Sequence, residues 1–253
     1  MRITLGSVMQ SRKVALAVHF CGAREAMMTS QRSCIYCRNA FQAAALTAEP
    51  VLPAALGGRL ALKRAVCPDC APRVRALTDD FLATRFALTA GAMAARRRGG
   101  PKGARRGQRS LLPVADASPD DSRHAYRAAA KILYCYLLLE LGQPALSSVP
   151  SEMLRRHLTD DQPTLRPPAW EITPPGLSPS PRWHVLMFDS AHSVAAVGLF
   201  GTIWFRFQLD LGGLAPHGRL VAFDAVKGAL GLAVLRSSTG WRYRSAVRWG
   251  WKV

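Results

Sequence analysis

The chain holds a single asparagine, Asn39, and only 16 acidic residues against 34 lysines and arginines, so its formal net charge is +18. No histidine lies between His19 and His124, which removes imidazole, the usual proton acceptor near neutral pH, from that whole stretch. No apolar run reaches the roughly 20 residues that a membrane span needs. The most apolar stretch, 185–205, contains Asp189 and His192 and is followed by Arg206. The short run 14–21, flanked by Arg12, Lys13 and Arg24, lacks a convincing cleavage site and is not read as a secretion signal. Aromatic residues at 8% and 17 prolines imply that some segments lie outside any core. The expectation is a cytoplasmic protein with no membrane partner.

The positive balance attracts polyanions and speeds encounter with them, which makes nucleic acid, and DNA first, the partner to consider. A compositional origin stays open beside this, because GC-rich codons favour Arg, Ala, Gly and Pro and disfavour Asn.

Of the six cysteines, four fall in two pairs with one spacing: Cys34 with Cys37 and Cys67 with Cys70. A CxxC turn aims two sulfurs at one ion, and two such turns complete the tetrahedral thiolate shell of a structural Zn2+ with no open position. Disulfides are disfavoured in a chain read as having no secretion signal. Cys21 and Cys135 read as ordinary thiols.

The division expected from composition is a leader over 1–28, disordered or preceding a true start at Met27 or Met28. A zinc module follows over 29–92, then a flexible basic linker over 93–123, then a second domain over 124–253. The module carries a turn at Gly57-Gly58 and a helical pattern through Val74, Leu77, Phe81 and Leu82. The linker is rich in Gly and Arg and cannot bury a core. Arg96, Arg97, Arg98, Lys102, Arg105, Arg106 and Arg109 in it are the candidate phosphate contacts, although a merely solvated arm remains the alternative. In the second domain, the spacing predicts a helix over 123–142, with Tyr126, Ala130, Leu133, Leu137 and Leu141 on one stripe. Strands are expected over 184–188, 193–199 and 203–209 behind it, after a proline-rich loop over 163–181. The tail from Val226 shows no clear period, and Trp241, Trp249 and Trp251 fit either packing or stacking.

Between the cysteine pairs stand Glu49-Pro50-Val51-Leu52-Pro53 and Leu56-Gly57-Gly58, followed by Cys67-Pro68-Asp69-Cys70. This arrangement resembles the HNH endonuclease family, in the bacterial group with two CxxC knuckles around a ββα fold. A fainter likeness extends to Lys131 and to Leu199-Phe200-Gly201. The resemblance implies a histidine general base after the glutamate, an Mg2+ or Mn2+ ion on the phosphate, and an asparagine after the second CxxC. Here those two positions are Pro50 and Ala71. Glu49 is left as the one candidate catalytic carboxylate, with a solvated residue at a strand end as its alternative. Asp69 reads as a turn former or a partner for Arg73. His184 and His192 stand on or beside neighbouring strands and are candidates to meet near Asp189, or are ordinary core or surface histidines.

The fold expected is α+β: a zinc-anchored ββα module followed by a small helix plus antiparallel-sheet domain. Three functions stay open: a nucleic-acid-binding HNH-like protein with little or no nuclease activity, an active endonuclease using a substitute base, and a zinc-stabilised protein-interaction module.

Overall fold

A computed structural model describes residues 31–86, 119–160, 183–189, 193–200, 203–211, 219–224, 229–237 and 240–244. The expectations for the leader 1–28, for the basic residues Arg96 to Arg109 and for the proline-rich loop lie outside the described residues.

The first part is two hairpins and two short helices. Strand β1 (Gln31–Ser33) pairs with β2 (Ala40–Gln42), and β3 (Thr47–Pro50) pairs with β4 (Ala61–Val66), both antiparallel. Thr47 faces Val66 while Glu49 faces Leu62, so β4 carries extra residues in a bulge, and Arg64 there takes a left-handed φ of 51°. Two glycines shape the connection between β3 and β4. Gly57 closes a 3-10 turn at φ 98°, and a Cβ on Gly58 would lie 1.9 Å from the Leu52 carbonyl oxygen.

Helix α1 (Cys70–Leu77) and helix α2 (Asp79–Arg85) are separated by a single residue, Thr78, at φ −129°. The expected apolar pattern thus spans two helices rather than one. The Thr78 hydroxyl donates to the Val74 carbonyl at 2.7 Å, competing with the next backbone bond of α1. The break puts Asp79 in the first turn of α2, where its side chain turns inward.

Helix α3 (Pro119–Leu141) begins four residues before the expected start, inside the segment expected to be linker. Proline fits a first helical position, and Asp121 suits the positive end of the helix. The single apolar stripe expected for α3 is replaced by burial all round. Every residue from Ala125 to Leu138 is buried, the signature of a helix enclosed by other elements. Helix α4 (Val149–Thr159), capped by the Ser148 hydroxyl, packs on α3 through Leu154 and Leu158.

The sheet has six strands, all antiparallel, in the order β10-β9-β8-β5-β6-β7. They are β5 (Trp183–Asp189), β6 (Val194–Leu199), β7 (Ile203–Gln208), β8 (Arg219–Asp224), β9 (Ala229–Ser237) and β10 (Gly240–Arg244). The first three match the expected strands to within one residue at each end, and the last three extend the sheet beyond them. Gly198 sits opposite Trp204 and leaves room for its indole, since a Cβ there would come within 2.8 Å of the ring.

Helix α3 joins the halves. Tyr126 stacks on Phe207 at 4.5 Å and donates to the Arg206 carbonyl at 2.8 Å, and Tyr136 packs on Phe188 and Phe223. Along the same helix, Tyr134 donates to the Ile35 carbonyl in the first knuckle. One continuous apolar cluster therefore runs from Cys34 through α3 and α4 to Phe223. Each large side chain in it contributes about 1.5–3 kcal/mol of burial energy.

Candidate metal centre and a buried charge cluster

The first knuckle turns because Arg38, at φ 67°, donates its amide to the Cys34 carbonyl, while Cys34 donates to the Asn39 carbonyl. The second lies where β4 ends and α1 begins, with the Ala71 amide on the Cys67 carbonyl. Ile35 donates to the Ala65 carbonyl at 2.9 Å and holds the two turns together. Arg38 reaches the Leu146 carbonyl and Glu152, and Arg155 reaches the Tyr36 carbonyl at 2.8 Å, so the first knuckle is also fixed to α4.

The sequence-predicted ligands Cys34, Cys37, Cys67 and Cys70 converge, with all four sulfurs within 4.8 Å of one another. Cys37 and Cys67 stand 3.8 Å apart. Four thiolates at about 2.3 Å from a tetrahedral ion are separated by about 3.8 Å, so the donor set fits such an ion. Burial raises the Cys34 thiol, but backbone amides of Cys67, Cys37 and Tyr36 turned on its sulfur outweigh that and leave its pKa below the ordinary value. Burial, joined by neighbouring sulfurs, pushes Cys37 and Cys70 up. A cation at the centre of the four sulfurs is what allows all of them to ionise together.

Glu49 is not a solvated strand-end residue. It is 6% exposed, and its carboxylate meets the ammonium of Lys131 at 2.7 Å. The same ammonium donates to the Pro50 carbonyl at 2.7 Å and to both oxygens of Asp79 at 2.9 and 3.0 Å. Burial raises the pKa of Glu49 despite the opposing pull of Lys131. For Lys131, burial acts to lower the pKa, but the negative fields of Cys135, Glu49 and Asp79 prevail and raise it. Burial pushes the Cys135 thiol well above its ordinary range. The Tyr36 hydroxyl, 3.8 Å from the Cys135 sulfur, borders the same cluster.

The remaining candidates are spread out. Asp69 is exposed ahead of α1, with no capping hydrogen bond from its side chain. His184 is buried. The Phe200 amide donates to its Nδ1 at 3.4 Å, so Nε2 carries the proton and donates to the Leu56 carbonyl at 3.0 Å. It thereby clamps the Gly57-Gly58 turn to the end of β6. His192 lies outside the described residues. Asp79, His157 and the clamping role of His184 had no signal in the sequence, because only tertiary packing gives them partners or takes partners away.

Paired strands, two cysteine turns whose sulfurs could hold a metal ion, and a helix starting at the second turn define a ββα module. Residues 34–87 match the family model described as HNH endonuclease, and the module is of that type. No curated protein and no solved structure matches the chain. Among the described residues no helix is long and apolar enough to cross a membrane.

Position 50 is proline, position 71 is alanine, and the carboxylate of Glu49 is neutralised from within the protein. His157 and His184 are buried elsewhere, in α4 and β5. His124 stacks on Phe81 two turns before Lys131 in α3, about 10 Å along the helix axis from it.

Proposed function

We propose that the chain is a nucleic-acid-binding protein built on an HNH-type module held by a structural Zn2+, from which phosphodiester hydrolysis has been lost. The observation that carries this is the combination of Pro50, which has no titratable group, with a Glu49 carboxylate already paired with Lys131. A general base must accept a proton within hydrogen-bond reach of the attacking water, and Pro50, the residue that follows Glu49, offers no such group. The all-thiolate donor set supports zinc, which takes such ligands without redox chemistry. The fold-bearing features of the family are retained in this chain, namely the four cysteines and Gly57-Gly58.

The charge of +18 supports a polyanionic ligand, DNA before RNA, with Arg96, Arg97, Arg98, Lys102, Arg105, Arg106 and Arg109 meeting phosphates. Binding of this kind is salt-sensitive and indifferent to sequence. Such a protein works in the cytoplasm without Mg2+ or Mn2+. The test is titration of zinc-loaded protein onto labelled duplex DNA at increasing salt, beside a plasmid-nicking assay with Mg2+ or Mn2+. Binding that weakens steeply with salt, without nicking, is expected. Nicking that Glu49→Ala abolishes would reinstate an active enzyme, and absence of binding at low salt would turn the module toward a protein partner.

A further inference from the structure

Lys131 lies in the middle of α3, 0% exposed as a residue, and its ammonium has three N–H donors. Three groups take them: the Glu49 carboxylate at 2.7 Å, the Pro50 carbonyl at 2.7 Å and the bidentate Asp79 carboxylate at 2.9 and 3.0 Å. Two carboxylates and a backbone carbonyl aimed at one point are the ligand set of a hard divalent cation, here spread to ammonium hydrogen-bond distances instead of roughly 2.3–2.6 Å. One positive charge answers two negative ones, so the pocket asks for more charge than the lysine brings. The three ligands come from β3 and from the helix break at Thr78, which means the module builds the pocket and α3 supplies the plug.

We infer that Lys131 is an internal cation that occupies a divalent-cation pocket formed by Glu49, Pro50 and Asp79, closing it to metal ions. This rests on the reading of the module as catalytically silent and assigns a second lock to that silence. Loss of the histidine at position 50 removes the base, and Lys131 removes the cation. Restoring the base alone therefore leaves the site inert.

The experiment uses the full-length zinc-loaded protein and Mn2+ as the probe, with bound ion read by electron paramagnetic resonance. The unmodified protein is expected to hold no stoichiometric Mn2+. Lys131→Ala is expected to gain one Mn2+ per chain, lost again in Glu49→Gln/Lys131→Ala. A stoichiometric Mn2+ in the unmodified protein that Glu49→Ala removes would overturn the inference, and so would a folded, zinc-replete Lys131→Ala protein without an Mn2+ site. Where Lys131→Ala does not retain its zinc, Pro50→His decides. An inert Pro50→His protein agrees with the lock, whereas Mg2+-dependent nicking by it refutes the lock while leaving the loss of the base at position 50 as the cause of silence. DNA binding by the unmodified protein is read separately, so failure of the nucleic-acid reading is distinguishable from failure of this one.

Discussion

Replacing Lys131 by methionine keeps most of the side-chain volume but removes the charge that Glu49 and Asp79 share. Glu49 is 8% and Asp79 13% exposed at the side chain, so water cannot take over the role of the ammonium. Removing one partner of a buried ion pair costs about 3–5 kcal/mol, and two carboxylates are stranded here, which places the expected loss near 4 kcal/mol. That is a large share of the stability of a typical domain. The loss depends on pH. Burial already raises the pKa of Glu49, and without the lysine opposing it the carboxyl rises further. A carboxyl with a raised folded-state pKa binds its proton more tightly folded than unfolded, so the variant loses stability as pH rises through that value and recovers it on acidification. Urea denaturation of both proteins at about pH 8 and about pH 5.5 is the assay. The gap between them is expected to be widest at the higher pH and to narrow by 1 kcal/mol or more at the lower. A gap below 1 kcal/mol at pH 8, or one that does not change with pH, would refute the reasoning.

Three further perturbations have defined outcomes. His157 is 1% exposed, neither ring nitrogen has a hydrogen-bond partner among the described residues, and burial with the nearby Arg127 lowers its pKa to about 4. A depressed histidine contributes stability that is present above its unfolded pKa and lost as pH falls through the folded one. His157→Leu should therefore remove up to about 3 kcal/mol of the acid destabilisation between pH 6.5 and 4, read from the difference in urea midpoints. Chelation of the metal, or Cys70→Ser, should unfold the segment 31–86 and with it the packing against α3, seen as loss of near-ultraviolet circular dichroism that added Zn2+ restores only in the unmodified protein. Neutralising Arg96, Arg97 and Arg98 together should lower the slope of log affinity against log salt by nearly 3, since each phosphate contact contributes about 0.9.

The cysteine spacing made the metal module legible, because CxxC constrains geometry within four residues and tolerates any insertion between pairs. Gly57-Gly58 was equally readable, since glycine takes the φ of 98° at one position without strain and leaves room for the close carbonyl at the other. Strands β5 to β7 showed through a β-branched and aromatic bias bounded by turn formers. Strand β9 did not, because Ala229–Ser237 is an apolar, glycine-bearing run without alternation. Helix α4 is absent from the sequence expectations although Ser148 and Pro150 form a start signal. The stripe on α3 was misleading for a physical reason. A helix surrounded on all sides still shows periodicity, and the two charged residues within its buried stretch, Arg127 and Lys131, find their partners only in the tertiary packing. The charge cluster was hidden for the same reason, because Glu49, Asp79 and Lys131 are brought together only when α3 docks on the module.

The most direct measurement of the central claim is a supercoiled-plasmid gel with zinc-loaded protein and Mg2+, run before and after the protein is stripped from the DNA. The account predicts retardation at low salt that disappears as salt is raised, and supercoiled plasmid recovered unnicked once the protein is removed. Open-circular DNA accumulating with time and abolished by Glu49→Ala, or no retardation at any salt, would contradict it.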